Sequence, residues 1–239
     1  MRKFAKISAV LAAMILALAF AGCNSSSDDD DEGNGSSSTK NILAGKTYYS
    51  IDFEEKEYTS ELINKAKIRV SMFAFDSNGQ KVKFTGLKYN FKNGVVDENK
   101  DNIIESDELN YSVSGSTLTI KAPEGVGEDL IATIKSDGSI DGMKELKGNL
   151  YAFAKAKADS KELLAVAYII TVDGTACNLE QQYADDEEPY VLKGTVSGSN
   201  LKFTDERKDG QTVTVFGTVS DKEIKMNDSP DGPITLKRM

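Results

Sequence analysis

From residue 42 to residue 239, apolar and polar side chains alternate with a period of two far more often than with the 3.6-residue period of a helix. The segments AKIRVSMFAF (66–75), QKVKFTGLKYNF (80–91), QTVTVFGTVS (211–220) and DKEIKM (221–226) predict strands with one apolar face. Short turn signals punctuate them: SNG at 77–79, KNG at 92–94, SDG at 136–138, and DG at 173–174 and 209–210. Many short strands at close spacing predict an all-β, antiparallel meander closed into a barrel or folded as a sandwich. About 200 residues suffice for two small tandem modules or one larger barrel.

An internal repeat supports hairpins as the building unit. VSGSTLTI at 113–120 matches VSGSNLKF at 196–203, and TVSDKEIKM at 218–226 is a weaker echo. Each reads as strand, tight turn, strand, with Gly115 and Gly198 supplying the positive φ of a hairpin turn. Such a hairpin cannot bury its apolar face alone, so hairpins must stack side by side. These hairpins, with KYNFKNG (88–94) upstream of the first, resemble the lipocalin-like domains of bacterial lipoproteins. The resemblance covers residues 42–157 and, less completely, 163–239, and it implies a small antiparallel barrel. The chain has no tryptophan where such domains often carry one; AGKTYYSIDF offers Tyr48 and Tyr49 instead. The expected division is one module over 42–157 and a second over 158–239, separate or continuous with the first.

Two segments carry a helical alternative. TSELINKAK (59–67) opens with a capping hydroxyl. LYAFAKAKADSKELLAVAYIITV (150–172) is rich in Ala, Lys, Glu and Leu, which favour helix. Yet Ala152, Ala154, Ala156 and Ala158 fall on every second residue and VAYIITV is β-branched, so two strands turning at residues 158–161 are expected, with small side chains filling a crowded interior.

The N-terminus changes the picture of where the protein sits. MRKFAKISAVLAAMILALAFAGC has a basic start and an apolar run from Ala9 to Ala21 that is too short to span a bilayer, the pattern of a secretory signal over residues 1–22. Its FAGC ending resembles a lipobox, with Phe20 where leucine is usual, and implies lipid attachment at Cys23. Residues 23–41, dominated by Ser, Gly and Asp, predict a flexible tether. An acylated Cys23 would anchor the protein to a membrane of the cell envelope. Asn24 replaces the aspartate that retains some lipoproteins at the inner membrane, so the outer membrane or cell surface is preferred. Removal of the signal takes away Arg2, Lys3 and Lys6 and lowers the formal charge from −9 to near −12, which argues against nucleic acid as a partner. The remaining thiol, Cys177, has no second cysteine to pair with and reads as a small buried apolar residue.

Few chemistries are open to such a chain. It contains no histidine, which removes Ser-His-Asp and Cys-His catalysis and histidine-bound zinc. No glycine-rich phosphate loop is present. Carboxylates are scattered too widely to single out a catalytic pair, and DDEE at 185–188 reads as a solvated loop. Phe73, Phe75, Tyr89 and Phe91 alternate along neighbouring strands, either as core or as an aromatic wall for a ligand.

One stretch, VVDENKDNIIESDEL (95–109), fits the twelve-residue calcium loop of EF-hands. Asp97, Asn99 and Asp101 fall at positions 1, 3 and 5, with Ile103 giving its carbonyl at position 7. Glu105 falls at position 9 and Glu108 at position 12. Asn102 stands in place of glycine at position 6, and strands rather than helices flank the loop, so the alternative is an acidic turn without metal. The expected function is a non-enzymatic, membrane-anchored binding module for a small ligand, a glycan or a protein, with calcium as a structural clip. The alternative is an envelope-assembly lipoprotein whose ligand is a partner protein.

Overall fold

The computed structural model describes residues 42–54, 67–92, 95–96, 104–123, 127–159, 162–184, 188–206, 210, 212–227 and 232–239. The signal, Cys23, the tether and residues 59–66 of the first helical candidate lie outside them. Among the described residues there is no helix, and the fold is antiparallel β throughout.

The first sheet contains β1 (Thr47–Glu54), β2 (Lys67–Phe75), β3 (Lys81–Lys92), β4 (Val95–Val96), β5 (Ile104–Ser114), β6 (Thr117–Ile120), β7 (Leu130–Thr133) and β8 (Lys144–Leu146). Its order is β7-β6-β5-β3-β2-β1-β8, with β4 beside β3. A single bridge between Ile134 and Ile140 links the ends of β7 and β8, so the sheet curls towards a barrel. The second unit contains β9 (Asn149–Asp159), β10 (Glu162–Asp173), β11 (Ala176–Tyr183), β12 (Tyr190–Ser197), β13 (Asn200–Glu206), β14 (Thr212–Val219), β15 (Glu223–Met226) and β16 (Ile234–Arg238). These eight strands form a closed barrel, sealed by β16 on β9.

The middle of the chain is two strands and not a helix, as expected: β9 ends at Asp159, which pairs with Glu162 at the start of β10. The passage between sheets, however, comes at Lys147–Gly148 and not at 157/158, because β9 closes the second barrel. Gly148 makes that passage possible. It has φ +79°, and a Cβ there would lie 2.0 Å from the Val172 carbonyl oxygen.

The two units are built alike. Each opens with a positive-φ glycine, Gly45 or Gly148, three residues before a buried tyrosine, Tyr48 or Tyr151. Each tyrosine hydroxyl donates to a carbonyl in a late hairpin turn: Tyr48 to Gly138 at 2.9 Å and Tyr151 to Ser220 at 3.0 Å. The repeated VSGS hairpin sits at the fourth-to-fifth strand connection of both meanders, β5–β6 and β12–β13, with Val113 opposite Leu118 and Val196 opposite Leu201. Gly115 and Gly198 there have φ of 59° and 60°. Asp141-Gly142 and Asp231-Gly232 precede the last strand of each unit, and both glycines have positive φ.

Three apolar clusters hold the molecule together. The first curl encloses Tyr48, Phe73, Phe75, Val82, Tyr111, Leu118, Ile120, Ile134 and Ile140. The second barrel encloses Tyr151, Val166, Tyr168, Ile170, Leu201, Phe203, Ile224, Met226 and Leu236, among others. The third is the seam where their outer faces meet. Tyr49, Ile68, Val70, Leu87, Tyr89 and Phe91 from the first sheet lie on Leu150, Ala152, Ala154, Ala165, Ala167 and Ile169 of β9 and β10. Ala152 and Ala154 therefore do not fill a barrel interior. They face outward, where short side chains let one sheet approach the other closely, and all four seam alanines are fully buried.

Polar bonds fix the seam's register. Tyr89 donates to the Ala152 carbonyl at 2.9 Å, Tyr49 to Glu180 Oε1 at 2.7 Å, and Lys144 to Glu180 Oε2 at 2.7 Å. Burial raises the ionisation point of both tyrosine hydroxyls, and the Glu180 carboxylate raises that of Tyr49 further. Both phenols stay neutral donors.

Candidate ligand-binding surfaces

The four aromatic residues singled out in the sequence are all buried, but they do not form one wall. Phe73 and Phe75 point into the first curl, whereas Tyr89 and Phe91 lie at the seam. The register explains the split. Tyr89 pairs with Ile68, and Ile68 and Phe73 stand on opposite faces of β2. Period-two patterning gives alternation within a strand but not which face a neighbouring strand shares.

The calcium-loop residues divide similarly. Asp97, Asn99, Asp101 and Ile103 lie outside the described residues. Glu105 and Glu108 lie in β5, and an odd spacing along an extended strand sends them to opposite faces. Glu108 stands 3.7 Å from Lys81, a solvent-exposed pair. In the EF-hand pattern positions 9 and 12 are brought together by the start of a helix, and here that stretch is strand. Among the described residues no group of three or more Cys, Asp or Glu is placed to hold a metal ion.

The second barrel is filled. Leu201, Phe203, Ile224, Met226 and Leu236 have no exposed surface, and Tyr151 and Tyr168 are 2% exposed. Phe153 stacks obliquely beside Tyr168 at 6.2 Å and meets Tyr89 of the seam edge-on at 6.4 Å. Lys155 Nζ lies 5.6 Å from the Tyr168 ring centre. Cys177 is buried among these side chains, and burial pushes its thiol up to about 11. It is a packing residue and not a nucleophile. Towards the rim, Gln181 donates to the Tyr183 hydroxyl at 2.6 Å, and Tyr190 is half exposed.

The first unit differs at the corresponding level. Counting from the paired tyrosines, the second-barrel row Phe153–Tyr168–Gln181 on β9, β10 and β11 corresponds to Ser50–Ser71–Gly86 on β1, β2 and β3. All three face inward, since Tyr49, Ile51, Ile68, Val70 and Leu87 occupy the seam side. The next row outward is Asp52–Arg69–Lys88, followed by Lys67 beside Asn90. The row below is aromatic: Tyr48, Phe73 and Phe84, with Phe73 and Phe84 at 5.4 Å. The Phe84 ring also leans over Gly86, 2.9 Å from where a Cβ would stand. Glu105 and Asp107 of β5 border the same face.

Ser71 is 4% exposed, and its hydroxyl has no hydrogen-bond partner among the described residues. Asp52, Lys67, Arg69, Lys88 and Asn90 all take part in polar or electrostatic contacts. No sequence signal marked this wall. Alternating Lys and Arg on a strand reads as a solvated face until the structure shows the other face covered by the second barrel.

Comparison of the chain with protein-family models, curated proteins and solved structures gives no match.

Proposed function

We propose that this is a lipid-anchored, non-enzymatic binding protein of the cell envelope, held to a membrane through acylated Cys23 and the 23–41 tether. The first unit takes the ligand and the second serves as its support. The observation that carries the reading is the polar inner wall of the first unit beside a second barrel of the same path packed with side chains. A filled barrel has no room for an enclosed ligand, whereas an inward wall of serines and charges is costly to keep without a use.

Two measurements test it. Cys23→Ser should move the protein from the membrane to the soluble envelope fraction, and retention in the membrane would overturn the anchor. Amide spectra of the Cys23→Ser chain titrated with envelope extract should shift at β1–β3, and hydrolytic turnover lost on mutating a single acid would overturn the non-enzymatic reading.

A partner protein is the second reading. Phe216, 51% exposed on the outer face of β14 opposite Lys202, is the observation that favours it. One stoichiometric partner co-purifying from detergent and lost on Phe216→Ser would establish it. Calcium at the 97–108 stretch belongs to either reading as a clip. At roughly 2 mM calcium and a dissociation constant of about 0.1–1 mM it would add about 0.7–1.8 kcal/mol. With Glu108 in β5 beside Lys81, Asp97→Ala is expected to abolish any such response and Glu108→Ala to leave it. Loss of a calcium-induced rise in melting temperature in both Asp97→Ala and Glu108→Ala would restore the full twelve-residue loop.

A further inference from the structure

Resting on the lipid-anchored reading above, we infer that the outer face of β12–β16 is a docking surface for an anionic lipid bilayer. This face of the second barrel is turned away from the seam, which lies on β9 and β10. Phe216 stands on it with half of its surface exposed, although its neighbours Val215 and Gly217 on β14 point into the barrel. Lys202 lies directly across from the ring on β13, and Lys225 lies diagonally on β15, opposite Thr218. Val191, also about half exposed, shares the face on β12.

Charge names the occupant. Among the described residues the face carries four lysines, Lys193, Lys202, Lys225 and Lys237, against two carboxylates, Glu206 and Glu223. Asp221 and Lys222 cancel in the β14–β15 turn. Glu223 is held by Lys225 at 2.8 Å and stands across from Lys237, and Glu206 lies at the far end of β13 from the Phe216 row. Lys193 and Lys202 form no ion pair among the described residues. The chain as a whole carries −9, so this face is opposite in sign to the molecule and would turn towards an anionic surface. An aromatic ring ringed by ammonium groups suits the headgroup boundary, where the ring meets acyl chains and the cations meet phosphates.

The tether supplies the rest. A flexible 23–41 segment has an end-to-end distance of about 25 Å, which keeps the barrels beside the bilayer that Cys23 enters. Two excess charges and one ring bind a free protein weakly, but a tethered protein meets the surface at high effective concentration. The outer face of a barrel is convex, and a soft bilayer conforms to it more readily than a rigid protein does. The same ring carries the partner-protein reading, and the experiment separates the two.

The acylated full chain is reconstituted into phosphatidylcholine vesicles with and without phosphatidylglycerol. The chain has no tryptophan, so Phe216→Trp installs a single reporter. Its emission should shift to the blue only with phosphatidylglycerol, be quenched by brominated acyl chains, and revert at high salt. Adding Lys202→Glu should lower the docked-to-free ratio about tenfold or more, since two charges change beside an anionic surface. Ile131→Trp, on β7 of the first unit and 52% exposed in the native chain, should emit as in water throughout. A water-like Phe216→Trp in every vesicle, or equal quenching of the two reporters, would overturn the assignment. So would a blue shift that needs a co-purifying protein and not lipid, which would establish the partner reading. Vesicle flotation separates the two layers of inference. A chain that floats while its reporter stays in water keeps the anchor and loses the face, and a chain that does not float loses both.

Discussion

In the second unit Phe153, Tyr168 and Gln181 lie side by side on three strands; in the first, the matching positions hold Ser50, Ser71 and Gly86. The paths are otherwise parallel: the same glycine before the first strand, the same tyrosine bonded to a late turn, the same VSGS hairpin. One barrel has spent that level of its interior on packing, and its stability comes from the area buried there. The other has placed serines and charges where packing would be expected, and it leans on its neighbour through the alanine-faced seam. A barrel supported from outside can carry a polar inner wall that a barrel standing alone would find too costly.

The comparison is broken most directly by exchanging side chains at that level. Tyr168→Ser, which gives the second barrel the first unit's residue, should destabilise the chain by about 3–5 kcal/mol in urea unfolding, since it removes a buried ring in contact with Phe153 and Lys155. At the matching position of the first unit, Ser71→Ala should cost nothing, or stabilise by up to about 1 kcal/mol, because the hydroxyl it deletes has no partner among the described residues. Equal losses for the two would mean that the wall is ordinary core.

The seam comes next. Ala154→Leu thrusts a larger side chain between two packed sheets and should cost about 1–3 kcal/mol, while the same change at exposed Thr218 should be near neutral. A silent Ala154→Leu would show that the sheets do not rest on each other.

Between pH 9 and 10, below the ordinary ionisation of tyrosine, alkaline titration probes the filled barrel through Cys177. The Cys177 thiol, ordinarily at 9.0, is pushed up to about 11 by burial, so the folded state keeps a proton that the unfolded chain releases. Stability from this group is therefore complete below pH 9 and lost as pH rises to about 11, by up to about 2 kcal/mol. In the Cys23→Ser background, Cys177→Ala should flatten that part of the pH profile. An unchanged slope would place the loss on other groups.

The smallest effect sharpens the likeness rather than the difference. Gly115→Val and Gly198→Val should each cost about 1–2 kcal/mol, and nearly the same amount. Both glycines stand at φ near +60°, with open space where a Cβ would go, so backbone strain is the whole penalty. Unequal melting shifts would break the equivalence of the two hairpins.

Much of this architecture is legible without coordinates. Alternation located the strands, and glycine at tight turns located the VSGS hairpins, because both signals arise from the local geometry of the chain. The alternating alanines of 150–158 distinguished strand from helix for the same reason. Their direction was not legible. Ala152 and Tyr151 differ by one residue and face opposite sides of the sheet, and only the docking of the first sheet decides that the alanine side is buried.

The candidate site sits on the tertiary side of that line. Lys67, Arg69 and Ser71 read as the polar half of an amphipathic strand, and as a local pattern that reading is correct. Strand periodicity is set by each residue's own backbone, so the sequence alone determined the β class and the hairpins. Which of two faces becomes an interior depends on register between strands far apart in the chain and on the sheet that covers the other side. Those are contacts between distant residues, and the folded barrels alone turned an apparently solvated stripe into an inner wall.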